Sequence, residues 1–187
     1  MSKLDGKRIA ILSTNGFEQS ELEVPRDKLR AAGADVVVVS PETGSITGWK
    51  GKDWGDKVEV DLSLDAARAG DFDALVLPGG QINPDVLRVN EKAVALVRAF
   101  HDAGKPIGAI CHAPWLLIEA DVVRGISATS YHSIRTDMAN AGATWRDEEV
   151  VVDQGIVTSR SPEDLDAFCA KLVEEIAEGR HHSRQAA

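Results

Sequence analysis

Only two cysteines, Cys111 and Cys169, stand in the 187 residues, in segments that both read as internal and lie far apart. That scarcity argues against a disulfide framework, and neither cysteine has a metal-type spacing. No apolar run approaches the roughly 20 residues that a bilayer span needs. The opening MSKLDGKRIAIL is basic, but its apolar stretch is too short for a signal peptide and lacks a small-residue cleavage site. The expected location is therefore cytoplasmic, without membrane contact. A cluster of Lys and Arg is missing as well. With 21 basic against 30 acidic residues the formal charge is -9, which repels phosphates and sets nucleic acid aside as a partner. Repeats and dividing linkers are absent, so one domain is expected over residues 1–180. The tail from 181 to 187 has no packing pattern, and His181 and His182 in it are expected in solvent rather than on a metal.

What is present is an alternation of short β-branched runs with amphipathic stretches. KRIAIL, ELEVPRDKLRAAGA, DVVVVS, DALVLPGG, NEKAVALVRAFHDAG and PIGAIC follow one another as βαβ units around a parallel sheet. The unbroken run Val36 to Val39 predicts a strand covered on both faces. After Asn90, apolar Ala93, Val97 and Phe100 recur at helical spacing until Gly104 and Pro106. A last helix starts at Ser161 or Pro162, gathers Leu165, Phe168, Leu172 and Ile176 on one face, and ends at Gly179. Cys169 adjoins that stripe as a small packed hydrophobe. A hairpin is expected between Thr43 and Leu64, and another in EEVVVDQGIVTS, turning near Asp153 to Gly155.

The segment PIGAICHAPWLL stops an apolar run at Cys111, follows it with His112, and resumes as a second apolar run. A cysteine between strand and helix is exposed at the carboxyl end of the sheet, with backbone N–H groups facing its sulfur. A helix start or neighbouring His lowers a thiol pKa from about 8.5. The same strand, nucleophile, helix order forms the hydrolase elbow. A buried cysteine beside a helix-opening histidine would show the same letters. DALVLPGG ends with Gly79 and Gly80, where a close-approaching backbone N–H with that of His112 would form an oxyanion hole. In NGFEQSELEVP, Glu18 falls at a βα turn on the same sheet edge. Protonated, it would donate to a thiolate; its other reading is a first-turn complement to the helix dipole.

GFE, LPGG and AICHAP in this order resemble the PfpI/ThiJ superfamily. The likeness runs from Arg8 to Ile176 and takes in NEKAV, TSYHSIRTDMANAGATW, EEVVVD and TSRSPEDL. It implies a flavodoxin-like three-layer α/β sandwich with a mainly parallel central sheet and a nucleophile elbow, similar to the class I glutamine amidotransferase domain. On that pattern Cys111 is the nucleophile, His112 its neighbour, and Glu18 the carboxyl contacting the sulfur. The PfpI branch adds an acid from an adjoining subunit to the histidine. Asp85 matches it by position after Pro84, as Asp in place of Glu and with one extra residue in the loop. A misplacement of about 1 Å costs on the order of a hundredfold in rate, so this substitution bears on the triad. The branch's Gly-Pro-Gln after the histidine is Ala113, Pro114 and Trp115 here. Trp115 then either packs under the elbow or touches substrate. Tyr131 matches a site-lining position, with His132 beside it.

The resemblance implies a cysteine hydrolase acting in stress response, either an intracellular peptidase or a deglycase/glyoxalase on methylglyoxal- and glyoxal-derived adducts. Its substrates are then peptides or small aldehyde adducts. The alternative is a redox-sensing, chaperone-like stress protein with an oxidisable Cys111. Glutamine amidotransfer is set aside for want of a downstream His–acid pair. No metal or organic cofactor is implied, and a homodimer or higher oligomer is.

Overall fold

The computed structural model describes residues 2–181. In chain order the strands and helices are β1 (Arg8–Leu12), β2 (Phe17–Glu18), α1 (Gln19–Ala31), β3 (Asp35–Ser40), β4 (Ser45–Lys50), β5 (Asp53–Glu59), β6 (Leu62–Ser63), β7 (Ala74–Leu77), α2 (Ile82–Arg88) and α3 (Glu91–Asp102). They continue as β8 (Ile107–Ile110), α4 (Pro114–Glu119), β9 (Ser127–Ala128), α5 (Arg135–Asn140), β10 (Thr144–Trp145), β11 (Val151–Asp153), β12 (Ile156–Ser159) and α6 (Leu165–Glu178).

Alternate side chains of a strand leave on opposite faces, and here both faces are covered. Ile9 and Ile11 of β1, with Val36 and Val38 of β3, join one core with Leu22 of α1 and Phe168 and Leu172 of α6. Ala10, Leu12, Val37 and Val39 join the other, against Leu87, Val97, Phe100 and Leu116 from the helices across the sheet. The result is three layers around a seven-stranded sheet in the order β11-β12-β8-β7-β1-β3-β6. Only its edge pair β11–β12 is antiparallel.

Both expected hairpins form. Strands β4 and β5 pair antiparallel with a register shift between Thr47 and Trp49, and β4 also pairs with β2. The β11–β12 turn places Gln154 at φ 51° and Gly155 at φ 74°, the two left-handed residues that a tight hairpin turn needs. Asn90 caps α3 by accepting from the backbone N–H groups of Lys92 and Ala93. The last helix differs slightly from expectation: Pro162–Asp164 is a 3-10 turn and the α-helix starts at Leu165, ending at Gly179 with φ 93°. Buried Asp164 explains the turn, because it takes the backbone N–H and guanidinium of Arg160. His181 is not free in solvent: its backbone N–H donates to the Gly104 carbonyl at 2.8 Å and its ring is three-quarters covered. His182 lies outside the described residues.

The chain turns back at β1. Strands β3 and then β6 lie on one side of it, and β7, β8, β12 and β11 on the other. In parallel sheets a crevice opens at such a reversal, outside the carboxyl ends of the strands.

Candidate active site

Three loops meet in that crevice, following β1, β7 and β8. Buried Asn83 joins two of them: its Oδ1 accepts the Thr14 N–H at 2.8 Å and its Nδ2 donates to the Pro78 carbonyl at 2.9 Å. The glycines of the second loop are required by proximity. A Cβ on Gly79 would stand 2.6 Å from both Cys111 Cβ and the Ile110 carbonyl oxygen. Gly80 has φ 84°, and a Cβ there would press on the Glu18 nitrogen and Gly16 oxygen at 2.7 Å.

Cys111 follows β8 directly with φ 65°, a strained conformation for a residue with a side chain. The strain is held from both sides: its N–H donates to Ser159 O at 3.0 Å and its carbonyl accepts from the Tyr131 N–H at 2.8 Å. Cys111 is 6% exposed as a residue and lines the crevice. Around the sulfur stand the backbone N–H groups of Gly80 and His112, the Glu21 carboxyl, and His112 Nδ1 at 3.1 Å.

The carboxyl at the sulfur is Glu21, which corrects the assignment to Glu18. Glu18 is the residue before α1 and stays part-exposed at the cleft, where its carboxylate accepts from Ser20 Oγ. Its pKa is raised by burial against that hydrogen bond. Glu21, one helical turn later on the inward face, is completely buried, and its Oε2 accepts the Gly79 N–H at 2.9 Å. Burial first, and the Glu18 charge second, push Glu21 up to about 8. Its Oε1 is buried without a hydrogen-bond partner, a position that a proton satisfies and a negative charge does not.

The sulfur was expected to be ionised by a helix start. Instead its pKa is displaced upward, by burial and then by the Glu21 charge, while the Gly80 and His112 N–H groups pull the other way. The physical reason lies in the chain: α4 has six residues and starts three positions beyond the sulfur, so little dipole reaches it. When Glu21 carries its proton the carboxylate repulsion vanishes and the O–H becomes a donor. Thiolate formation is thereby coupled to the Glu21 proton.

His112 is lowered by burial and then by His132, which keeps its ring neutral. Its Nε2 lies 3.1 Å from Ser133 Oγ. With Nε2 donating to that hydroxyl, Nδ1 is left as an acceptor for the thiol proton. Tyr131 stacks on the His112 ring at 4.7 Å, and His132 packs on Tyr131 at 4.4 Å. The cleft above has a volume of ≈ 380 Å³ and is walled by Glu18, Trp49, Tyr131 and Pro162.

Two expected residues stand apart from the sulfur. Trp115 meets the edge of His112 at 5.1 Å, while its indole N–H donates to Asp137 and its ring lies under Arg88. It therefore packs beside the elbow and does not line the cleft. Asp85 is exposed on α2, and the ring nitrogen it was expected to orient is already taken by Ser133. Sequence reasoning missed Glu21, Asn83, Ser133 and Trp49. Glu21 had only a partial signal, as a second acid in the first turn of the helix that follows Glu18. Ser133 adjoins the TSYH motif, whereas Trp49 had none.

A strained cysteine at the end of a parallel strand, with a neutral histidine and a buried carboxyl on its sulfur, defines a cysteine-hydrolase elbow on a flavodoxin-like sheet. The DJ-1/PfpI family signature matches residues 7–175, and the chain belongs to that family. Protein/nucleic acid deglycase 2 of Escherichia coli is 47% identical over 163 residues, covering 87% of this chain and 93% of its own. General stress protein 18 of Bacillus subtilis is 46% identical over 164 residues, covering 87% and 94%. A solved two-domain protein of Anabaena variabilis, with DJ-1/ThiJ/PfpI-like and ferritin-like domains, superposes with a TM-score of 0.85 at 37% identity, over 96% of this chain and 52% of that one. The chain is thus a cysteine hydrolase of the PfpI type.

Proposed function

We propose that this protein is a deglycase of the stress response, which releases amines and thiols from their methylglyoxal- and glyoxal-derived adducts. One observation carries the choice over peptide hydrolysis: Cys111, only 6% exposed as a residue, lines the floor of a cleft of ≈ 380 Å³. A two- or three-carbon electrophile reaches that floor, whereas an extended peptide needs a groove several residues long. The deglycase names among relatives at 46–47% identity support the same reading.

His112 Nδ1 takes the thiol proton and passes it to the amine or thiol as that group leaves the adduct's carbinol carbon, to which Sγ bonds to give a hemithioacetal on Cys111. The hydrogen on that carbon then moves as a proton to the neighbouring carbonyl carbon through an enediol whose oxygens meet the N–H groups of Gly80 and His112 and the Glu21 carboxyl, leaving a lactoyl or glycoloyl thioester. Water hydrolyses the thioester and returns the Cys111 thiol. The sum is adduct plus water giving the free amine or thiol with lactate, from methylglyoxal, or glycolate, from glyoxal. The functional unit is a cytoplasmic homodimer or larger oligomer in which Asp85 of a second copy approaches His112. Exposed Ile82 and Val86 on the same helix, with Val89 just after it, favour such an interface.

The test is to incubate the protein with methylglyoxal-modified N-acetylcysteine and N-acetylarginine, and separately with casein. Adduct loss with matching lactate release, abolished in Cys111→Ser, is expected. Faster cleavage of casein than of either adduct would assign the site to peptide hydrolysis.

A further inference from the structure

At the opposite end of the sheet from Cys111, the last turn of α6 carries Glu174, Glu175 and Glu178 and no basic residue. This opposes the usual preference, because a helix C-terminus is the negative end of its dipole. Glu175 and Glu178, three positions apart, share one face, and the chain folds back past Gly179 to bring His181 onto it. Ligand atoms of the three side chains lie within 4.8 Å of one another, the one such His, Cys, Asp or Glu group among the described residues.

Glu175 is 7% exposed, and its Oε2 makes no hydrogen bond. His181 Nε2 stands 2.9 Å away, at ion-pair distance when the ring is protonated, yet neither atom is aligned for a hydrogen bond, which leaves both lone pairs facing one point when the ring is neutral. Lys105, the buried cation at the same end, is committed to the carbonyls of Ala69 and Phe72. The backbone of His181 is held independently of its ring: its N–H donates to Gly104 O, and a Cβ on Gly104 would stand 2.6 Å from the His181 carbonyl oxygen.

We propose that Glu175, Glu178 and His181 bind a divalent transition-metal ion of the zinc class. One imidazole nitrogen and two carboxylate oxygens supply three ligands and water completes the shell. The ion ties the chain beyond α6 back onto that helix, beside the turn between α3 and β8 that already accepts the His181 N–H.

Calorimetric titration of the chelator-treated full chain with Zn²⁺ tests this. One equivalent is expected to bind, equally in wild type and in Cys111→Ser, with a raised melting temperature. Loss of an outer-shell contact alone weakens metal sites by about 10–100-fold, so Glu175→Gln and His181→Ala are each expected to weaken binding by at least about 100-fold. Cobalt(II) in the same site should show no thiolate charge-transfer band. No saturable binding in wild type, binding unchanged in His181→Ala, or binding lost in Cys111→Ser would overturn the proposal. Circular dichroism of the isosteric Glu175→Gln variant separates a lost ligand from a lost fold.

Discussion

A carboxyl completely buried beside a thiol has consequences for stability as well as for chemistry. The Glu21 pKa rises from 4.5 to about 8 on folding. Below the lower value both states hold the proton and burial brings no ionisation penalty. Between the two, the unfolded chain releases the proton and the folded chain keeps it, so stability falls as pH rises and levels off above about 8. The whole displacement corresponds to on the order of 5 kcal/mol. Glu21→Gln, which keeps the shape and cannot ionise, is expected to remove most of that slope in urea midpoints measured from pH 5 to pH 8. The same variant should retain part of the Cys111 alkylation rate, because an amide N–H still donates to a thiolate. Glu21→Leu offers no donor and should alkylate far more slowly than either. An unchanged pH slope in Glu21→Gln would show that the carboxyl is ionised in the folded protein.

At the scale of elements, the site is a property of three loops held by close packing of backbone, and the glycines separate its parts. Gly79→Ala forces a Cβ against Cys111 and Ile110, and displaces the N–H that Glu21 accepts. Gly108→Ala, in the same β8 that ends just before Cys111, instead meets Phe168 at 3.1 Å and crowds Leu172 of α6. Overpacking costs about 1–3 kcal/mol in each case. Only Gly79→Ala is expected to abolish turnover and alter the pH profile of Cys111 alkylation. Kinetics and urea melts of the two variants check this, and equal losses of activity would place α6 packing, not the loop, in control of the sulfur. These elements also divide what could be read from the letters. The strand and helix alternation, both hairpins, the helix after Asn90 and the Cys111 elbow were legible because period 2, period 3.6 and turn residues are local signals. The choice of Glu21 over Glu18 was not, since it depends on where α1 begins: with Gln19 as its first residue, Glu18 faces the cleft and Glu21 faces the core. Ser133 stands in a 3-10 turn, which has no amphipathic period, and Trp49 reaches the cleft through a shift in hairpin register. Neither is written in hydrophobic pattern. Gln19 then fixes the hairpin to α1 through two hydrogen bonds with Asp56, again a long-range pairing of side chains.

For the whole molecule the unresolved chemical need is a group to orient His112 while it holds a proton. Ser133 serves the neutral ring, but a hydroxyl stabilises an imidazolium less than a carboxylate does. Within one chain Asp85 stands exposed on α2, and its neighbours Val86 and Val89 are 47% and 80% exposed, an apolar strip beside the crevice. A symmetric pairing of two such strips buries the valines and sets each Asp85 near the other copy's elbow. If that is how the site is completed, defects in the two residues complement each other across the interface. Cys111→Ser keeps its aspartate and Asp85→Ala keeps its thiol, so each parent assembly is weak or inactive. After mixing and subunit exchange, the hybrids contain one elbow with an intact thiol facing an intact aspartate. Adduct turnover is therefore expected to rise above that of either parent, and to stay at parental levels when Val89→Asp is present in both chains to block association. Activity that merely averages the two parents would assign Asp85 to its own chain or to no catalytic role, and leave Ser133 as the partner of His112 throughout the cycle.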